Sequence, residues 1–374
     1  MRASRLISIP ARPRRWYALA AVASAALAAA ALPGAAAARS HPQRHGLAGY
    51  HQRNLVADTP GHAEVTDPNL VNAWGLSFGP NTPAWVADNG TGLSTLYSGA
   101  SASVKGVTTV PLVVKIPQGA PTGTVFNGGA GFKIDGSPSA FLFSSEAGVI
   151  SGWNPAFGTD ARVGASAMGA VYKGLAIAST PEGQRLYATD FHGNRVDVWN
   201  DTFAPAGKPG AFTDPNVPKG FAPFGIQTVG GRIVVTYAKQ DADAMDDVHG
   251  AGLGFVDLYD TSGTLIKRLV SRGPLNAPWG IAQAPKHFGK ASKDLLIGNF
   301  GDGRINAFNP KNGRFEGALR KGKRGPRVTI DGLWALEFGN GTIGTPQTLL
   351  FTAGPGDESH GLFGAITATK GGGR

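Results

Sequence analysis

DLLIGNFGDGRINAFNP, residues 294–310, contains an apolar run, a glycine-rich turn and a second alternating run, and closes on an aromatic and an Asn. Two alternating runs joined by a polar, Gly-bearing turn read as a β-hairpin. The chain writes this phrase six times. PAWVADNGTGLSTLY (83–97), AFLFSSEAGVISGWNP (140–155) and RLYATDFHGNRVDVWN (185–200) come first. RIVVTYAKQ and GLGFVDLYD, split by an acidic insert, cover 232–260, and TLLFTAGPGDESHGLFGAITA (348–368) is the last. Most copies end near an aromatic: Tyr97, Trp153, Trp199, Tyr259 and Phe308.

A second element precedes each hairpin, an aromatic or small residue, often Gly, followed by an aliphatic. The copies are Trp74-Gly75-Leu76, Gly131-Phe132, Gly174-Leu175, Phe224-Gly225-Ile226, Trp279-Gly280-Ile281 and Leu333-Trp334-Ala335. Their spacing is about 40–60 residues, the period of propeller blades. A Gly in a short inner strand lets neighbouring backbones approach at a crowded axis. Thr109–Lys115 and Leu265–Val270 read as outer strands. The expected fold is all-β: a six-bladed β-propeller of four-stranded antiparallel blades. The last repeat lacks an outer strand, and QRNLVAD (52–58) is spare. It is expected to complete the sixth blade and close the ring, leaving no open edge.

The remaining composition fits this reading. The 374 residues include 55 Gly and 26 Pro, with no Cys, so many turns are expected and closure rests on packing and hydrogen bonds. Residues 1–38 carry five Arg and no acid, then an Ala/Leu-rich run from Trp16 to Leu32, a Pro33-Gly34 break and Ala35–Ala38. That is the layout of a secretory signal peptide, cleaved near Ala37 or Ala38; a retained apolar anchor is the rival reading. The expected organisation is signal peptide 1–38, N-terminal segment with closing strand 39–62, propeller 63–370 and disordered tail 371–374. The mature chain is expected to be secreted or periplasmic, monomeric and without a stable membrane anchor. Half of the formal +10 charge lies in the first 38 residues, so no nucleic-acid partner is expected. Arg320-Lys321-Gly322-Lys323-Arg324 reads as a solvated loop.

Several long phrases resemble one family. TDPNLVNAWGLS (66–77), IGNFGDGRINAFNP (297–310), DGLWALEFGNG (331–341) and FTAGPGDESHGLFG (351–364) are similar to exported bacterial proteins with NHL-like propeller repeats. Some members of that family carry PEP-CTERM sorting tails. The resemblance spans about residue 50 to 368 and implies the fold and export, but no activity. ATKGGGR at the end departs from the tailed members.

The hairpin turns offer candidate chemistry. Asp88, Glu146, Asp190, Asn299 and Glu358 would ring the channel mouth, where side-chain oxygens suit Ca²⁺ or another divalent cation or general acid–base work. The same residues beside Gly also serve as caps of their own turns. His192, His249 and His360 sit in equivalent turns and are metal candidates, or surface histidines. The insert KQDADAMDDVHGAG (239–252) adds Asp241, Asp243, Asp246 and Asp247. It is not an EF-hand, since Asp246 stands where Gly is required and Gly252 where Glu is required. The six Trp at repeat-equivalent places (74, 85, 153, 199, 279 and 334) read as blade packing. No GK[ST] phosphate loop or H-E-x-x-H appears.

Two function classes follow. The first is an exported binding or scaffold protein that takes a small molecule, glycan or protein on one propeller face. The alternative is a divalent-metal-assisted hydrolase or lactonase at the channel mouth. Gluconolactonase-type enzymes share the six-bladed architecture, which is an analogy of fold alone.

Overall fold

The computed structural model describes residues 47–369; the signal-peptide region 1–38 and the tail 371–374 lie outside them. The described chain is built of strands, with short 3₁₀ turns at Pro155–Phe157 and Gly289–Ala291. No described helix is long and apolar enough to cross a membrane.

Each repeat forms an antiparallel sheet whose strands are neighbours in sequence. The first holds Ala73–Ser77, Ala84–Asp88, Leu93–Gly99 and Val107–Lys115, and the second Pro121–Phe126, Phe141–Ser145, Val149–Trp153 and Arg162–Ser166. The third has three strands, Tyr172–Thr180, Gly183–Asp190 and Arg195–Asn200. The fourth holds Phe221–Val229, Arg232–Gln240, Phe255–Tyr259 and Leu265–Ser271. Pro278–Gln283, Leu295–Asn299, Ile305–Phe308 and Phe315–Lys321 make the fifth, and Leu333–Phe338, Leu349–Ala353 and Leu362–Ala368 the core of the sixth. The first strand of each sheet packs on the first strand of the next, and Leu333–Phe338 packs back on Ala73–Ser77.

Leu47–Ala57 is the outer strand of the sixth sheet, antiparallel to Leu362–Ala368. Its beginning also runs parallel to Phe315–Lys321 of the fifth, so one strand joins two sheets. Tyr50 Oη pins it by donating to Phe288 O at 3.0 Å and accepting from Ala291 N at 2.9 Å.

Two expectations change. The inner strand of the second sheet is Pro121–Phe126, not the Gly131-Phe132 element, which lies in a loop where Phe132 has φ 53°. The third sheet has no fourth strand among the described residues; the chain after Asn200 makes one bridge instead, Trp199 to Pro205.

The inner strands need small residues because they crowd. A Cβ on Gly75 would sit 2.4 Å from Thr122 O, and one on Gly225 2.1 Å from Trp279 O. Hydroxyls stitch adjacent sheets. Thr189 Oγ1 accepts from Gly174 N and donates to Phe224 O of the fourth sheet at 2.7 Å. Thr236 Oγ1 does the same between Gly225 N and Pro278 O of the fifth. Each bond saturates a backbone group that neither ladder can reach. Aromatic pairs fill the space between sheets: Trp85 stacks on Phe141 at 4.2 Å and meets Trp153 at 4.6 Å.

Candidate functional site

All six inner strands break their ladder near the same place, between Ala73 and Leu76, Pro121 and Thr124, Tyr172 and Gly174, Pro223 and Ile226, Pro278 and Gly280, and Leu333 and Leu336. A bulge re-aims the side chain it carries. The residues at these breaks include Trp74, Thr122, Lys173, Phe224, Trp279 and Trp334, and all but Thr122 and Lys173 are aromatic. They meet at one end of the inner strands. Trp74 stacks on Trp334 at 3.7 Å, Trp279 meets Trp334 edge-on at 5.6 Å, and Phe224 lies 5.9 Å from Trp334.

Lys173 is the charged residue in this largely aromatic plug. Its side chain is 1% exposed. Nζ lies 5.1 Å from the Trp74 ring, 2.5 Å from Glu146 Oε1 and 3.2 Å from Asp246 Oδ1. Burial alone would push this ammonium's pKa down. The two carboxylates outweigh that and hold it above the ordinary lysine value. Glu146 is itself held from the other side, because Asn89 Nδ2 donates to its Oε2 at 3.1 Å. The chain of bonds continues: Asn72 Nδ2 donates to Asn89 Oδ1, and Trp334 Nε1 donates to Asn72 Oδ1. One polar network thus joins side chains from five of the six sheets or the segments that adjoin them.

Asp246 arrives on the insert of the fourth sheet. Asp241 Oδ1 caps the insert by accepting from Met245 N and Asp246 N, and Gln240 Nε2 ties its base to Phe191 O. Asp243 is exposed. Asp247 pairs with His249 at 2.8 Å, and that bond raises the His249 pKa. His249 also packs against Phe300, which stacks on Trp334 at 4.1 Å. Glu358 is half-buried in the turn of the sixth sheet and is among the carboxylates whose charge His249 feels.

The other expected ring members go elsewhere. Asp190 Oδ1 accepts from Val171 N and Gly193 N, and Oδ2 pairs with Arg195 at 2.7 Å. Asn299 Nδ2 donates to Pro274 O and Asp302 Oδ1. Asp88 is fully buried near Thr95 and Asp67, and burial pushes its carboxyl pKa well up. These three residues end the second strands of their sheets, whereas Glu146 follows its strand by one. Side chains alternate along a strand, so one residue of offset reverses the face. The counterparts of Glu146 are Asn89, Phe191 and Phe300, and these are the residues that meet the network and the plug. The three histidines do not converge. His192 is exposed, and His360 pairs with Asp58 at 2.8 Å. Among the described residues no three His, Cys, Asp or Glu side chains form a group able to hold a metal ion.

Below the plug, the inner strands enclose a cavity of about 30 Å³ lined by Gly75, Gly123, Leu175, Ile226, Ile281 and Leu336, among others. That is room for a water or two, so a ligand must act at a mouth. Sequence reasoning missed Lys173, Asn72 and Asn89. The available signal was the alignment of Lys173-Gly174-Leu175 with Trp74-Gly75-Leu76 and Trp279-Gly280-Ile281, which puts a cation in an aromatic slot.

No family model matches the chain. It is similar to the uncharacterized protein R648 of Acanthamoeba polyphaga mimivirus, with 32% identity over 328 residues, 83% of this chain and 78% of that one. The uncharacterized protein L690 of the same virus is 31% identical over 308 residues, 78% of this chain and 80% of that one. Among solved structures, a streptogramin B lyase matches at TM-score 0.49 and 10% identity, covering 86% of this chain and 98% of its own. A nidogen/laminin complex matches at TM-score 0.46 and 15% identity, covering 76% and 84%. Neither likeness is close enough to carry a statement about activity.

Proposed function

The chain belongs to the same family as the mimivirus proteins R648 and L690, and for it we propose a β-propeller that binds a ligand or partner at the mouth holding Lys173. The finer reading has six blades across 63–370, a ring closed by the strand within 39–62, and export behind a signal peptide. It also keeps the kinship with exported bacterial propeller proteins. The cyclic packing of the six inner strands supports the blade number.

The observation that carries the binding reading is Lys173 itself. A buried cation in a largely aromatic plug costs several kcal/mol of desolvation before its partners are counted. Packing alone would be served by another aromatic. Held charged, Lys173 is an electrostatic and hydrogen-bonding group rather than a nucleophile, because amine chemistry needs the neutral form. Glu146 is bound on both oxygens, which leaves it poorly placed as a general base. The geometry therefore favours binding or scaffolding over the hydrolase. A divalent cation bound at Glu146 and Asp246 would have to displace the Lys173 ammonium.

The test is a thermal-shift screen of small metabolites, glycans and divalent ions on the mature protein and on Lys173→Met. A compound that stabilises the parent chain and leaves Lys173→Met unmoved supports the reading. Hits that shift both proteins equally would place binding elsewhere and end it.

A further inference from the structure

The opposite ends of the inner strands form a second mouth with different chemistry. A cavity of about 270 Å³ opens there between the fourth, fifth and sixth sheets. Gln227, Ile281, Gln283, Leu336, Glu337 and Phe338 line it, and it shares Gln227, Ile281 and Leu336 with the narrow axial space. Glu337 is its only titratable side chain. The carboxyl makes no ion pair or hydrogen bond among the described residues, and burial is the one cause acting on its pKa, which rises to about 8. The wall is otherwise two amides, the Thr228 hydroxyl, aliphatic side chains and the Phe338 ring, which packs edge-on against Phe288 at 4.9 Å. Gln283 is fixed, since its Nε2 donates to Lys293 O and Asp294 O.

We propose that this second mouth binds a small organic ammonium ion, with Glu337 as its counter-ion and Phe338 as its cation–π face. A half-buried carboxyl without a protein cation is an incomplete ion pair, and a ligand ammonium completes it. One carboxylate and neutral amides suit a single positive charge better than a divalent ion, which wants several charged oxygens. An aromatic ring beside the carboxylate suits an organic cation. The volume is at the small end of ligand pockets, enough for an amine with one short apolar arm. This site is independent of Lys173.

The probes are benzylammonium and its neutral counterpart, benzyl alcohol, followed by ligand-observed NMR and calorimetry on the mature protein. Benzylammonium should bind about tenfold or more tightly than benzyl alcohol. Its affinity should rise by about tenfold between about pH 6 and about pH 8.5, as Glu337 ionises while most of the amine stays charged. Protons should be released on binding near neutral pH. Glu337→Gln should lose about tenfold or more in affinity for benzylammonium while keeping its weak affinity for benzyl alcohol, which also shows that the pocket is folded. Lys173→Met should bind benzylammonium as the parent does. The proposal is overturned by no binding at about 10 mM, by equal affinity for the alcohol, or by unchanged binding in Glu337→Gln. Loss of binding in Lys173→Met alone would place the amine at the first mouth and equally overturn it.

Discussion

Lys173 Nζ lies 3.2 Å from Asp246 Oδ1 across 73 residues of sequence. The insert of the fourth sheet is thereby fastened to the first turn of the third sheet's inner strand. Glu146 takes the same ammonium from the second sheet. The two acids are not equivalent, because the Glu146 side chain is 29% exposed and that of Asp246 53%.

Glu146→Gln should therefore cost more than Asp246→Asn. The first leaves a buried cation with one solvent-screened partner, on the order of 1–3 kcal/mol. The second removes a screened contact, under about 1 kcal/mol. Urea unfolding of both variants gives the order, and an Asp246→Asn loss larger than that of Glu146→Gln would contradict it.

Gly225→Ala should be severe. Its Cβ would stand 2.1 Å from the Trp279 carbonyl, so the fourth and fifth sheets must separate, at about 3 kcal/mol or more. Gly106 has nothing within 4 Å of its virtual Cβ and no positive φ, and Gly106→Ala should be near neutral. Paired melting curves test the crowding argument, which fails if the two behave alike.

Removal of residues 47–58 should lower the melting temperature steeply, because that strand pairs with both the fifth and the sixth sheets. Tyr50→Phe, which deletes one hydroxyl with two buried bonds, should cost about 1–2 kcal/mol. An unchanged melting temperature in the truncated chain would show that closure does not depend on this strand.

Stability should fall with rising pH through a window that Glu337 controls. Its folded pKa of about 8 lies above the ordinary carboxyl value. Between about pH 4.5 and that value, the folded state holds a proton that the unfolded state has lost. Glu337→Gln should flatten this part of the profile. The difference reaches a few kcal/mol at most, because the residue is only half-buried. A profile identical in parent and variant would refute the shift.

The repeating hairpins and most inner strands are legible in the sequence because period-two alternation, Gly-bearing turns and an aromatic before Gly recur together. The second inner strand escapes because Thr122-Gly123-Thr124 carries no aromatic to announce it. The mouth escapes for two physical reasons. A lysine in an apolar strand reads as an exposed residue until its slot is aligned with Trp74 and Trp279. A turn acid can also face the axis or its own hairpin, and a single residue of register decides which. Asp88, Asp190 and Asn299 fall on one side of that choice and Glu146 on the other. The Asp246 contact depends on how the insert folds back, which no local pattern encodes.

The most direct measurement is the ionisation of Lys173, followed by NMR of ¹³Cε-labelled lysine across alkaline pH, with Lys173→Met assigning the signal. The account predicts a midpoint above the ordinary lysine value of about 10.4, moving down in Glu146→Gln. A midpoint at or below the ordinary value would mean that the carboxylates do not hold a charged ammonium in the mouth, and the binding site proposed there would go with it.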